Sequence, residues 1–156
     1  MAKVLIVEDT YLVTKALEHQ FKRHCPWVET AFVVDATNAK RALTGEKFWE
    51  FHPKNGQISV RGATIYDAVI WNNQIPEDWE ESPKEGLGLE TARAMYVSEE
   101  VNAMARSHFI MHSANAQDKF LDEKIFAEIL PKPIDMKRLV ELFRQWGFDP
   151  QRGPQA

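Results

Sequence analysis

Short unbroken apolar runs alternate along the chain with stretches whose apolar residues recur every three to four positions. An unbroken run indicates a strand buried on both faces, and the longer spacing indicates a helix with one apolar face. The runs predict strands at 3–7, 28–34, 65–71, 108–111 and 126–130. The intervening pattern predicts helices around 13–21, 35–43, 89–97 and 119–124, and a last helix that Asp135 caps and Gly147 ends. This alternation predicts an α/β fold, with a doubly wound, five-stranded parallel sheet and helices on both faces.

The stretch before the third predicted strand interrupts this alternation. Alternating apolar residues at 48–51 and 58–60 flank the pair Asn55-Gly56, which is typical of a β-hairpin, although the loop is longer than two residues. An irregular surface loop fits the pattern equally well. We therefore predict an inserted hairpin or loop at about 46–64, and a second, acidic insertion at 77–86.

The composition is that of one globular domain. The chain has 156 residues, of which 44% are hydrophobic and 27% charged, so we expect one domain over 1–147 and a flexible tail at 148–156. A single cysteine, Cys25, excludes an internal disulfide, and we expect its thiol to be structural and neutral. The net charge of −4 argues against a nucleic-acid or anionic-membrane partner. Because the first apolar run is too short for a signal peptide or a membrane span, we expect a cytoplasmic protein.

Polar residues follow four of the predicted strands. Glu8 and Asp9 follow the first, Asn72 the third, Ser113 the fourth and Lys132 the fifth. The carboxyl ends of parallel strands meet at one edge of the sheet, where ligands bind in such folds. We therefore expect these five side chains to share one cleft.

In this order, these residues resemble the receiver domain of two-component response regulators. The resemblance rests on segments 4–9, 67–76, 88–90, 110–114 and 130–133, and it extends from residue 3 to about 146. It implies the flavodoxin-like or CheY-like strand order 2-1-3-4-5. It also implies a signalling partner, either a kinase or an output protein.

The resemblance also implies a role for each pocket residue. In receivers, a carboxylate after the third strand accepts a phosphoryl group from a histidine kinase. The acidic pair, here Glu8 and Asp9, helps to hold Mg²⁺. The switch hydroxyl, here Ser113, and the pocket lysine, here Lys132, contact the phosphoryl group.

The chain departs from the receiver pattern at the phosphoacceptor position, which is Asn72. An amide cannot act as the carboxylate nucleophile, and it is a weaker Mg²⁺ ligand. Asp67 is no substitute, because it begins the third strand at the opposite end of the sheet. We therefore predict a pseudo-receiver that is not an enzyme, has no catalytic residue, requires no cofactor and binds Mg²⁺ at most weakly at Glu8 and Asp9. We expect Lys132 to bridge Asp9 and the Asn72 carbonyl in place of a phosphoryl group.

Two further departures fall on the surface that receivers use for signalling. Ile129 stands where receivers usually carry an aromatic residue that reorients on activation. The segment between Ser113 and Lys132 is shorter than in most receivers, which predicts a truncated or distorted fourth helix.

A stand-alone pseudo-receiver would act by protein–protein contact that is independent of phosphorylation. Trp49, Phe51 and Trp79 lie in the two insertions and are our candidate partner contacts, since tryptophan is enriched at binding hot spots. The alternative is that these rings pack on the hairpin or on the edge of the domain. Receivers often pair through their fourth and fifth helices, so a homodimer is a further option.

Two other functions stay open. A carboxylate from the 77–81 loop would keep phosphotransfer with Mg²⁺ if it entered the cleft, although in-line attack is geometrically demanding. An unrelated doubly wound enzyme is the second alternative. It lacks support because no nucleophile elbow, dinucleotide-binding motif or P-loop is present. His112 and Ser113 would point to opposite faces, and His108 and His112 lie too far apart to share a metal easily.

Overall fold

Seven strands form one sheet in the computed structural model, which describes residues 1–114 and 124–149. The strands are β1 (Ala2–Val7), β2 (Val28–Val33), β3 (Phe48–His52), β4 (Gln57–Arg61), β5 (Ala68–Trp71), β6 (Phe109–Ser113) and β7 (Glu128–Pro131). The helices are α1 (Tyr11–His24), α2 (Ala36–Leu43), α3 (Leu87–Tyr96), α4 (Ala103–Ser107) and α5 (Met136–Gln145). No helix in these residues is long and apolar enough to cross a membrane.

The strand order is β4-β3-β2-β1-β5-β6-β7. Strands β2, β1, β5, β6 and β7 are parallel and follow the predicted order 2-1-3-4-5, so the predicted fold class is confirmed. The five predicted parallel strands are all present, and the inserted segment adds two antiparallel strands to the same sheet. The insertion is a hairpin, β3 and β4, whose first strand pairs antiparallel with β2 through Phe32 and Phe51. It therefore extends the sheet instead of forming a separate loop.

The central strands are covered on both faces. Leu5 and Val7 of β1 belong to one apolar core, and Val4 and Ile6 belong to the core on the other face. All four side chains are almost completely buried. Because each face of the strand meets helices, the run has no polar alternation, which is why the sequence identified it as a parallel strand.

The hairpin is anchored to the domain by both apolar and polar contacts. Phe48 is buried and meets the ring of Tyr66 edge-on, with centroids 6.5 Å apart. Arg61 pairs with Glu50 and with Glu29, each at 3.1 Å. The hairpin is thus part of the folded domain.

Several predicted boundaries differ from the structure. Strand β5 begins at Ala68, three residues later than predicted, because Ile65 is exposed and Tyr66 turns into the core. The short helix α4 was not predicted; its N-cap, Asn102, accepts from the backbone nitrogens of Met104 and Ala105.

The predicted tail begins too early. Phe148 is buried, and its carbonyl accepts a 2.9 Å hydrogen bond from Nε1 of Trp27. Residues 150–156 of the predicted tail lie outside the described residues. The helix predicted at 119–124 also lies outside them, except for its last residue. The same holds for most of the segment between Ser113 and Lys132, where we expected a distorted fourth helix. The last helix has the predicted cap at Asp135 and ends near Gly147, whose φ is +84°.

Candidate functional site

Four strand ends meet at one edge of the sheet. Glu8 and Asp9 follow β1, Asn72 follows β5, Ser113 ends β6 and Lys132 follows β7. All of these except Glu8 line a cleft of about 250 Å³, which we call the acidic cleft. Glu8 lies beneath it and accepts hydrogen bonds from three of its lining residues, Thr10, Asn72 and Lys132.

Glu8 is the buried centre of this cluster. Its side chain is 1% exposed. Its Oε1 accepts a 2.6 Å bond from Nζ of Lys132, and its Oε2 accepts from Nδ2 of Asn72 at 3.2 Å and from the Thr10 backbone nitrogen at 3.1 Å. A buried carboxylate needs such partners because its charge has lost most of its hydration.

The predicted bridge from Lys132 to Asp9 and Asn72 was wrong, because the ammonium binds Glu8 instead. Asp9 is only half-buried, whereas water scarcely reaches Glu8. The ammonium therefore stabilises the carboxylate that solvent stabilises least.

The Asn72 side chain fills the space between the two carboxylates. Its Nδ2 donates to Glu8 at 3.2 Å, to Asp9 Oδ1 at 3.3 Å and to the Gln74 carbonyl at 2.8 Å. An aspartate at this position would bring a third negative charge against the other two. The amide removes that repulsion and links the ends of β1 and β5.

Asp9 carries a perturbed carboxyl group. Burial, followed by the charge and contact of Glu8, raises the pKa of Asp9 to about 6, although the Lys132 ammonium acts in the opposite direction. The Asp9 carboxyl group thus resists ionisation more than an ordinary aspartate does.

The arrangement does not fit Mg²⁺. Both Glu8 oxygens accept hydrogen bonds, and Asn72 turns its N–H group, not an oxygen, toward the carboxylates. Mg²⁺ prefers oxygen ligands in near-ideal octahedral geometry. Within residues 1–114 and 124–149, no three His, Cys, Asp or Glu side chains come together as a metal site would require.

The backbone of Asn72 is held by close packing of α3. The Gly88 nitrogen donates to the Asn73 carbonyl at 2.9 Å, and the Leu89 nitrogen contacts Asn73 Oδ1 at 3.3 Å. A Cβ atom at Gly88 would lie 1.8 Å from the Asn72 carbonyl oxygen. Only glycine permits this approach, so Gly88 helps to set where the amide lies.

His108 and His112, which precede and lie within β6, are packed against other parts of the domain and do not form a catalytic or metal site with each other. The His108 ring lies 4.3 Å from that of Trp146, and its Nδ1 is 3.1 Å from the Asp67 carbonyl. His112 is 2% exposed, and its Nε2 has no hydrogen-bond partner in the described structure. It borders a groove beside α1, whereas Ser113 lines the acidic cleft, so the two do not form a nucleophile–base pair.

Comparisons with solved structures agree with this architecture. The receiver domain of a sensor histidine kinase from Pseudomonas aeruginosa, solved with magnesium in its active site cleft, is 18% identical, with 93% of this chain and 96% of that chain covered and a TM-score of 0.63. A two-component response regulator from Legionella pneumophila is 15% identical over 94% of this chain and 98% of that chain, with a TM-score of 0.68. A putative response regulator from Chloroflexus aurantiacus is 16% identical over 93% and 96%, with a TM-score of 0.63.

The chain has the receiver-domain fold of two-component response regulators. At these identities the likeness concerns the fold. No family model and no curated protein matches the sequence.

Within this receiver fold, the sequence analysis missed several residues that line the acidic cleft. They are Thr10, Asn73, Gln74 and Glu85. Glu85 is the most notable, because it is a loop carboxylate just outside the 77–81 segment considered for phosphotransfer. Its place just before the start of α3, where Gly88 packs on Asn72 and Asn73, is the signal that would have found it.

The two insertions of this receiver fold contact each other. The rings of Trp49 and Trp79 stack with centroids 5.9 Å apart, and each residue remains 41% exposed. Phe51 meets Tyr11 edge-on, with centroids 5.7 Å apart. The three candidate contact residues are therefore partly packed and partly available to solvent.

Three residues that the sequence analysis singled out lie away from the acidic cleft. The Asp67 carboxylate accepts from the Lys3 backbone nitrogen at 2.8 Å, at the end of the sheet away from the acidic cleft. Ile129 packs against the core that contains Trp71. Cys25 is fully buried, and burial raises its pKa to about 12, which keeps the thiol neutral.

Proposed function

We propose that this receiver-fold protein is a pseudo-receiver, which signals through protein–protein contact and does not accept a phosphoryl group. One observation carries the proposal: Asn72, which the receiver resemblance aligns with the phosphoacceptor, donates its amide N–H group to both Glu8 and Asp9. The nitrogen lone pair of an amide is delocalised into its carbonyl, so it cannot replace the attacking carboxylate.

The engagement of Lys132 supports the same conclusion. In a phosphoaccepting receiver, the lysine ammonium pairs with the phosphoryl oxygens. Here the ammonium is bound at 2.6 Å to Glu8, which is buried and has no other cationic partner among the described residues. The cluster is electrostatically satisfied without a phosphoryl group, which favours one constant conformation.

We further propose that the partner, a kinase or an output protein, contacts the surface formed by Trp49, Phe51 and Trp79. Two stacked tryptophans that each keep 41% exposure offer a rigid aromatic patch. Such residues dominate binding energy at protein interfaces. The patch belongs to the two insertions, so it gives this chain a surface beyond the five-stranded core.

Phosphoryl acceptance is tested by incubating the protein with Mg²⁺ and acetyl phosphate and measuring its intact mass. Transfer would form a carboxyl–phosphorus anhydride and release acetate. We expect no stoichiometric adduct on the natural chain and an adduct on Asn72→Asp, which supplies the nucleophile and a third carboxylate for Mg²⁺. An adduct on the natural chain would refute the pseudo-receiver proposal.

Partner contact is tested by affinity capture from a native extract with the full chain and with Trp49→Ala and Trp79→Ala. Tyr96→Ala, which truncates an exposed aromatic residue on α3, is the matched control. Substitution is preferable to deletion of 46–64, because Phe48 is buried in the core. A partner that is retained by both tryptophan variants, with the fold intact, contradicts the proposed surface.

A second candidate function keeps phosphotransfer, and the position of Glu85 in the lining of the acidic cleft favours it. In that case the Glu85 carboxylate would be the nucleophile. The same mass measurement separates the two functions, since an adduct that disappears in Glu85→Gln would assign the acceptor.

A further inference from the structure

A second cleft, of about 400 Å³, lies between the hairpin and the acidic loop, and we call it the insertion cleft. Its apolar walls come from both insertions, and two carboxylates border it. The lining includes Phe51 and Ile58 of the hairpin, Trp79 and Pro83 of the loop, and the acidic residues Asp9 and Glu81. Its volume lies within the range of natural ligand sites, which typically combine apolar walls with a few polar groups.

The insertion cleft has no cation of its own. No lysine or arginine lines it among the described residues, and neither Asp9 nor Glu81 forms an ion pair there. The Lys132 ammonium is bound to Glu8. Carboxylates without an ion-pair partner beside low-dielectric aromatic walls concentrate a negative potential, which attracts a positively charged group.

The negative charge continues outside the cleft along the acidic loop. This loop carries Glu77, Asp78, Glu80, Glu81 and Glu85, against one basic residue, Lys84. Of these carboxylates, Glu77 is the one with an ion-pair partner in the described structure, Lys40 at 3.8 Å. A ligand larger than one side chain would therefore meet further complementary charge.

We propose that the insertion cleft binds an arginine side chain presented by a partner protein. A guanidinium stacks on aromatic faces and donates to carboxylates at the same time, which a compact ammonium does less well. Trp79 and Phe51 offer the rings, and Asp9 and Glu81 offer the acceptors.

A polypeptide fits this surface better than a free small cation. Trp49 stacks on Trp79 but does not line the cleft, so the aromatic patch extends beyond the volume that one guanidinium fills. The loop carboxylates that have no ion-pair partner in the described structure add negative charge around this patch. This inference rests on the proposed partner contact and names the chemical group that the partner would insert.

The test is an NMR titration of the ¹⁵N-labelled full chain, followed through the indole N–H of Trp79 and the backbone of Ile58. The probes are the capped peptide Gly-Lys-Arg-Lys-Gly, the same peptide with neutral citrulline in place of arginine, and N-acetylarginine amide. We expect saturable shifts at the cleft with the arginine peptide and affinity about ten-fold weaker with the citrulline peptide. Equal affinity for the two peptides would overturn the proposal.

Matched variants locate the site. Glu81→Gln should weaken the arginine peptide by about three-fold, because it removes one carboxylate at the cleft, while Glu99→Gln removes an exposed carboxylate elsewhere and should not. Equal effects of both variants would mean non-specific attraction and refute the site. If N-acetylarginine amide binds as tightly as the arginine peptide, a polypeptide ligand is refuted.

The two proposals fail in different ways. A captured partner that depends on Trp79 but binds equally well to Glu81→Gln would retain the partner surface and refute the arginine site. If the arginine peptide binds the cleft but the tryptophan variants lose no partner, the arginine site is retained and the partner surface is refuted.

Discussion

The indole rings of Trp49 and Trp79 stack 5.9 Å apart, and a buried polar pair holds both backbones from beneath. The Asp35 carboxylate accepts from the Trp79 nitrogen at 2.9 Å, and Asn38 Oδ1 accepts from the Trp49 nitrogen at 2.8 Å. Asp35 also accepts from the Asn38 backbone and side chain. The start of α2 therefore ties the hairpin and the acidic loop to each other.

Asp35→Ala should lower the free energy of unfolding by about 2–4 kcal/mol, because it removes a helix cap and leaves buried donors of Asn38 and Trp79 unpaired. Asp135→Ala is the matched control, since Asp135 caps α5 with two backbone bonds at an exposed position. That variant should cost about 1 kcal/mol. Urea unfolding measures both, and equal losses would show that Asp35 is no more than a cap.

Lys132→Met should destabilise the protein by about 3 kcal/mol, since it leaves the buried Glu8 carboxylate without its ammonium partner. The double variant Lys132→Met with Glu8→Gln should recover most of that loss. Lys22→Met breaks the exposed pair with Glu18 and should change stability by less than about 0.5 kcal/mol. Denaturant titration of the natural chain and these three variants checks this, and a double variant no more stable than Lys132→Met would contradict it.

Gly88→Ala should cost about 2 kcal/mol or more, because its methyl group would lie 1.8 Å from the Asn72 carbonyl oxygen and backbone must move. The shift should also alter the NMR signals of the Asn72 side-chain amide. Gly62→Ala is the control: nothing lies within 4 Å of its added carbon, and its φ is not positive. Similar stability of both variants would mean that α3 packs less tightly on Asn72 than described.

His112 should make stability depend on pH. Burial, together with the nearby Lys132 ammonium, lowers its pKa from 6.5 to about 4. Between these values the unfolded chain binds a proton that the folded chain does not, so the contribution present above 6.5 is lost as the pH falls toward 4. The full effect amounts to at most about 3 kcal/mol.

The comparison must be made between variants, because Asp9 acts in the opposite direction. Its pKa is raised to about 6, so protonation of Asp9 favours the folded state as the pH falls below that value. Stability should therefore be measured for the natural chain and His112→Gln across this range. The difference between them should shift in favour of the variant toward acid pH, and parallel profiles would exclude His112 as the cause.

Local pattern was sufficient for the parallel core. The unbroken runs in β1, β5 and β6 reflect burial on two faces, and that requirement appears directly in the order of residues along the chain. The polar residues that follow these strands could be predicted in the same way. A residue beyond the end of a strand is no longer covered on both faces, so it does not have to be apolar. The prediction that Asn72 lies at the end of a strand depended on nothing more than this.

The sequence did not predict which of these side chains pair with each other, because the pairing depends on how the strands pack in three dimensions. Lys132 binds Glu8 and not Asp9 because Glu8 is the more deeply buried of two adjacent carboxylates, and depth depends on how β1, β5 and β7 pack together. The hairpin alternated like a strand pair, yet its place beside β2 was set by Phe48 entering the core. The contact between Trp49 and Trp79 joins segments that are far apart in sequence, so local periodicity carries no trace of it.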